Sequence, residues 1–204
     1  MTNPDVMENI IQEPAVAYQR HYTPEEYLAM EWVNGVRYEY WEGKLIEMSG
    51  GTKAHGLIAG NLNAFFRSKL KPKKCLSFQE NILLKIKERA IYFLPDVVVT
   101  CDQQDLDLEE RTVQNPVLVA ELLSKSNEMY DRTRKWDAYR QIRSLRYYLL
   151  ISQESYRVEL FSRQSNTAIY SYQVFSGIQS VISLTEWALE LPLEVIYEDI
   201  NLEF

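Results

Sequence analysis

Two acids in this chain of 204 residues stand where acids are costly. Asp96 follows Pro95 and opens the apolar run Val97-Val98-Val99, and Glu121 lies inside the string VLVAELL. A carboxylate in an apolar strand needs a partner. For one such acid, an ion pair or a cap suffices. Two on neighbouring strands repel each other unless one is protonated or a cation lies between them. A hard cation such as magnesium takes oxygen ligands: one or two carboxylates, water and substrate phosphate. The pair therefore suits a hard-cation site at which a phosphate is a further ligand. Further along, Lys135, Tyr139, Ile142 and Arg146 form one helical stripe, which sets Lys135 at the border of the inward face. Its plain reading is a helix pair with Asp131, worth a few tenths of a kcal/mol. Its functional reading is an ammonium that reaches the metal site, orients a water and stabilises charge on the phosphorane.

These residues need elements to hold them. Thr23-Pro24-Glu25-Glu26 reads as a helix start, with an N-cap, a proline at the first helical position and early acids; the helix is expected to run to about Val33. Residues 36–48 read as two strands joined by a tight turn at Glu42-Gly43. Leu57, Ile58, Leu62, Phe65, Phe66 and Leu70 recur at helical spacing over 53–70, and Pro72 follows. Strands are expected at Ser77–Ile86, Ile91–Thr100 and Val117–Leu123, the last two apolar enough to be buried on both faces. A helix over 128–143 presents Trp136, Tyr139 and Ile142 inward, and three further strands lead to a closing Leu-rich segment. The order predicts a mixed α/β (α+β) domain over 21–204, its mixed central sheet flanked by helices, behind a flexible arm over 1–20.

The composition, 46% hydrophobic and 25% charged, is that of a packed globule and excludes a disordered chain, a collagen-like fibre and a disulfide scaffold. Cys75 and Cys101 are expected as buried free thiols in a reducing compartment. With no long apolar run and no basic n-region, the expectation is a soluble cytoplasmic protein. The net charge of −7 argues against a protein that coats nucleic acid by charge alone. That charge is unevenly spread. Residues 67–74 hold five basic residues and no acid, and residues 125–146 hold seven basic against three acidic. The 102–110 stretch and residues 177–204 hold acids and no basic residue. Solvated faces explain such runs by default, yet the second basic run surrounds the proposed site, where phosphate steering would be useful.

An aspartate after proline at a strand start, with an acid in the next strand, resembles the PD-(D/E)XK nuclease superfamily. The strings RYEYWEGKLIEMSGGTKAHGLIAGNL, FLPDVVVT, PVLVAELLSKSNEMYDRTRKWDAYRQI and YYLLIS resemble the Uma family of predicted restriction endonucleases, from about Tyr22 to Tyr197. The resemblance implies a restriction-endonuclease-like core. It makes Asp96 and Glu121 the metal ligands, with magnesium as cofactor and manganese as substitute. The usual superfamily lysine would stand two residues after the second acid, where this chain has Leu123; the resemblance transfers the role to Lys135, with Lys125 as a weaker substitute. Glu39 and His55 match recurring positions as accessory residues: a third acid, and a contact to the metal's surroundings or to phosphate. A plain outward acid and a core-edge histidine are the alternatives. Gln79 matches a family position without a derivable role.

The expected function is a metal-dependent endonuclease acting on DNA. The rival is a catalytically inactive nuclease-fold protein that binds nucleic acid or a regulatory partner; a small-molecule hydrolase finds no pocket signal. The apolar C-terminal segment either closes the core or forms a two-fold interface, and a homodimer would suit double-strand cleavage.

Overall fold

Among the described residues, fourteen strands form two six-stranded sheets and a two-stranded one, with a few helices beside them. The computed structural model describes residues 16–17, 20–30, 36–48, 50–86, 89–165 and 167–202. The strands are β1 (Val16–Ala17), β2 (Arg37–Trp41), β3 (Lys44–Met48), β4 (Leu76–Gln79), β5 (Leu83–Ile86), β6 (Ile91–Phe93), β7 (Val97–Thr100), β8 (Thr112–Val113), β9 (Pro116–Leu123), β10 (Tyr147–Ser152), β11 (Arg157–Arg163), β12 (Tyr170–Ser176), β13 (Val181–Leu184) and β14 (Leu189–Pro192). The first sheet has the order β1-β3-β2-β6-β5-β8, the central one β12-β11-β10-β9-β7-β4, and β13 pairs with β14 alone. Both six-stranded sheets are mixed, through the parallel pairs β5–β8 and β9–β10. Of the N-terminal arm, Val16 and Ala17 pair with Ile46 and Leu45; residues 1–15 and 18–19 lie outside the described residues.

Helix α1 (Pro24–Leu28) starts with a reciprocal capping box between Thr23 and Glu26. Helix α2 (Lys53–Leu70) coincides with its sequence periodicity and buries Ile58, Ala59, Leu62, Phe66 and Leu70. Leu57 falls off that stripe and stays exposed. The expected strand Ser77–Ile86 is broken, because Glu80 and Asn81 take left-handed φ values of 53° and 54°. Its halves, β4 and β5, enter different sheets. The expected helix over 128–143 is shorter and changes pitch: α3 (Glu128–Tyr130), a π-helical turn (Asp131–Lys135) and α4 (Trp136–Tyr139).

The inner strands β7, β9 and β10 of the central sheet are buried on both faces. Leu118, Ala120 and Leu122 of β9 join α2 and the C-terminal elements in one core, while Val119 and Leu123 join Phe93, Tyr139 and Tyr148 in the other. The C-terminal segment closes the core: Ile182, Leu184, Leu191 and, in the short helix α5 (Leu193–Ile196), Leu193 and Ile196 are buried in the α2 cluster. Of the two readings of this segment, core closure is the one its buried side chains support. Cys75 and Cys101 form a disulfide, which corrects the expectation of free thiols. The pairing of Leu76 with Thr100 brings the residues flanking β4 and β7 side by side. No helix among the described residues is long and apolar enough to cross a membrane.

The β2–β3 hairpin carries Glu39, and its two-residue loop has positive φ at both Glu42 (47°) and Gly43 (94°), the requirement of a type I′ turn. A Cβ on Gly43 would also meet the His21 ring. Gly43→Ala is therefore expected to lower stability by about 1–2 kcal/mol in urea unfolding.

Candidate active site

The antiparallel register of β7 and β9 pairs Val97 with Ala120, so one step further Asp96 stands opposite Glu121. Asp96 is fixed through both oxygens. The Leu122 N–H donates to Oδ2 at 2.7 Å, and His55 Nε2 lies 3.0 Å from Oδ1. That hydrogen bond raises the His55 pKa against the effect of burial, which makes the contact an ion pair over a wider pH range. His55 sits in the first turn of α2, where its backbone N–H donates to the N-cap Thr52 Oγ1 at 3.1 Å. Thr52 Oγ1 in turn donates to Gln153 Oε1 at 3.2 Å, and Gln153 Nε2 donates to the Leu123 carbonyl at 3.0 Å. The helix start, the end of β9 and the end of β10 are thus tied together. Only glycine fits at position 51, since a Cβ there would lie 2.9 Å from His55 Cδ2.

Glu121 is buried and accepts from Tyr139 OH at 2.7 Å and Lys135 Nζ at 3.1 Å, both on Oε1. The Lys135 ammonium also lies 2.9 Å from Glu39 Oε1 and 3.3 Å from Asp131 Oδ1. Only 1% of Lys135 is exposed, and its ammonium lies among three carboxylates, from β2, β9 and the π-helical turn. Phe93 and Tyr130 add ring faces 5.6 and 5.8 Å away. Glu39 Oε1 further accepts from Leu94 N–H at 2.9 Å. Glu39 Oε2 and Asp131 Oδ2 are buried without a hydrogen-bond partner, and the Asp131 Oδ1 contact to Lys135 is an ion pair without hydrogen-bond geometry.

Three carboxylates on one ammonium leave an excess of negative charge in an apolar shell. Burial pushes the Glu121 carboxyl well up, and Lys135 pulls the other way. The same balance brings Asp131 to about 7. Burial alone would lower the Lys135 pKa, but the surrounding carboxylates outweigh it and keep the ammonium charged.

Asp96, Glu121, Lys135, Asp131 and His55 share the wall of one cavity of about 440 Å³, with Arg37 and the Gly50-Gly51-Thr52 turn also on it. Glu39 stands behind Lys135, off the wall. Lys125 is exposed and pairs with Glu154, and Leu123 packs in the apolar core. Gln79 is exposed at the end of β4, opposite Val97. Spacing did not single out Asp131 or Tyr139 as functional, although with Lys135 they recur at every fourth residue. The basic runs also change meaning. Residues 67–74 begin about 18 Å along the helix axis from His55, at the far end of α2. In the second run, Lys125, Arg132, Arg140 and Arg146 pair with Glu154, Glu159, Asp137 and Glu186.

The cross-strand row through the acids continues from Glu121 to Leu150 and from Leu150 to Glu159. Glu159 is buried and receives bidentate hydrogen bonds from Arg132, with Arg157 and Tyr172 OH donating as well. Burial would raise its pKa; these donors hold it at about 2.

Do these residues fit magnesium? Among the described residues no group of three or more His, Cys, Asp or Glu is arranged to hold a metal ion. Two facing carboxylates on a cavity wall, with buried negative charge in excess, nonetheless suit a hard cation that keeps several waters and takes one or two protein carboxylates. Asp96 and Glu121 would be those ligands.

Comparison with known proteins gives the family and the fold. The profile of the Uma2 family, described as "Putative restriction endonuclease", matches residues 24–194. "Uncharacterized protein slr1290" of Synechocystis sp. is 32% identical over 177 residues, 86% of this chain and 90% of that protein. "Uncharacterized protein sll1609" of the same organism is 33% identical over 149 residues, 72% and 84% of the two chains. The crystal structure of "a putative nuclease belonging to DUF820" from Anabaena variabilis superposes with a TM-score of 0.68 at 19% identity, covering 86% of this chain and 97% of its own. That likeness establishes the expected restriction-endonuclease-like fold.

Two stability tests follow from the charge balance. Lys135→Met strands three buried carboxylates and is expected to cost about 3–5 kcal/mol, whereas Asp131→Asn, which relieves the excess, costs about 1 kcal/mol or less; urea unfolding at pH 7 compares them. For Glu159, a folded pKa near 2 against an ordinary 4.5 means its contribution is complete above 4.5 and is lost as pH falls toward 2. The stability gap between the native protein and Glu159→Gln should therefore close over that window in denaturant titrations.

Proposed function

Because the chain belongs to the Uma2 family, we propose that it is a nuclease hydrolysing DNA phosphodiester bonds with magnesium, for which manganese can substitute. The observation that carries this reading is the pairing of Asp96 with Glu121 at a cavity wall, with Lys135 bonded to Glu121. Magnesium held by these two acids would supply Lewis-acid chemistry, offsetting phosphate charge and lowering the pKa of a water. The protein's own part is to hold the acids in position. Leu122 N–H and His55 orient Asp96, and Tyr139 with Lys135 orients Glu121, where Lys135 opposes the burial that pushes its carboxyl up. Lys135, hydrogen-bonded to Glu121, acts through that acid. Arg37 and the start of α2 provide positive potential on the same wall, where a phosphate would enter.

Cutting both strands takes two such sites, so the proposal includes a homodimer, through a surface other than the buried C-terminal segment. It also places the protein in the cytoplasm, although a disulfide is uncommon there. The second reading, a nuclease fold that binds nucleic acid or a regulatory partner without cutting, draws support from Leu123 at the usual lysine position and from the full engagement of Lys135.

Cleavage of plasmid and single-stranded DNA decides between the two. Asp96→Ala and Glu121→Ala are each expected to lower magnesium-dependent cleavage by about 100- to 1,000-fold or more, and calorimetry should show weakened magnesium binding. Undiminished cleavage by either variant would overturn the assignment. Magnesium binding without any cleavage by the native protein would favour the second reading.

A further inference from the structure

Lys135 is delivered by a π-helical turn, a rare conformation that persists only when its surroundings dictate it. Within the turn, Lys135 meets Glu121 on β9, and Arg132 meets Glu159 on β11. Those two acids belong to one cross-strand row, separated by Leu150 of β10. The turn therefore stands on the sheet through two cations, one at each end of the row. Arg132 is well suited to its end. Its planar fork makes two parallel bonds to Glu159, Nη2 to Oε1 at 2.8 Å, while Nε donates to Glu128 Oε1 at 2.8 Å in its own helix. Glu159 is held rigid from the far side, by Tyr172 OH on Oε2 at 2.7 Å and Arg157 Nη2 on Oε1 at 3.1 Å. Tyr148 OH adds a bond to the Asp131 carbonyl at 3.0 Å, inside the turn.

We propose that Glu159 and Arg132 are positioning residues, a clamp that fixes the π-helical turn and thereby sets the Lys135 ammonium among its three carboxylates. The inference deepens the nuclease reading and rests on it for any effect on catalysis. Neither residue lies on the wall of the candidate active site. Their influence passes through the turn.

The direct readout is the ¹⁵N–¹H signal of the Lys135 ammonium, which burial protects from exchange and which is assigned by its absence from Lys135→Arg. In Glu159→Gln that signal should shift or broaden. In Arg157→Gln, which removes a Glu159 partner outside the helix, it should stay in place. On DNA, Glu159→Gln should lower kcat at least tenfold with KM within about twofold, and should have no added effect in a Lys135→Met background. A purely structural role would leave the ammonium signal unmoved, and its effect would add to that of Lys135→Met. An unmoved signal in folded Glu159→Gln overturns the proposal. If that variant fails to fold, Arg132→Lys, which keeps the charge and loses the fork, is read by the same criteria. The ammonium signal decides the matter even if the native protein cuts no DNA, so failure of the nuclease reading stays distinguishable from failure of the clamp.

Discussion

The site depends on one ammonium. Lys135 lies within 2.9–3.3 Å of Glu39, Glu121 and Asp131, which come from the first sheet, the central sheet and the helix between β9 and β10. Each carboxylate would be costly alone in its apolar surroundings. Together they form a cage whose charge exceeds that of its guest. Burial raises the Glu121 and Asp131 pKa values, and the neighbouring carboxylates add to it. The ammonium thus joins the two sheets at the same point where the apolar cluster packs them together.

The geometry separates holding from acting. Lys135 and Tyr139 face Glu121 from the core, while His55 and the Leu122 N–H face Asp96 from the helix start and the strand. Both acids are thereby oriented before any ligand arrives, which lowers the reorganisation needed to bind one. Leu123, at the position where the superfamily resemblance would put a lysine, packs in the core. A lysine delivered from the following helix reaches the same acid by another route.

Much of this was legible in the sequence. Asp96 and Glu121 stood out as acids in apolar strands, and the spacing of Ile58, Leu62, Phe66 and Leu70 marked α2 to its ends. The Glu42-Gly43 turn was readable because a type I′ turn has a short list of acceptable residues. What stayed hidden was non-local. The paired left-handed residues Glu80 and Asn81 split one apolar run between two sheets, and no periodicity announces that. Asp131 and Lys135 looked like a surface helix pair, because spacing does not reveal which face another sheet will cover. The basic run over 125–146 suggested a steering surface, but several of its charges are matched by acids distant in sequence, such as Glu159 and Glu186. Cys75 and Cys101 met only because strand register brought them together.

The account makes Asp96 and Glu121 the carboxylates of a cation site, and Lys135 the group that prepares one of them. Anomalous diffraction from crystals soaked in manganese tests this most directly. A peak within bonding distance of both Asp96 and Glu121, with Lys135 still on Glu121 Oε1, is the predicted result. A protein that takes up manganese elsewhere, or only through Asp131 and Glu39 after Lys135 has moved away, would contradict it.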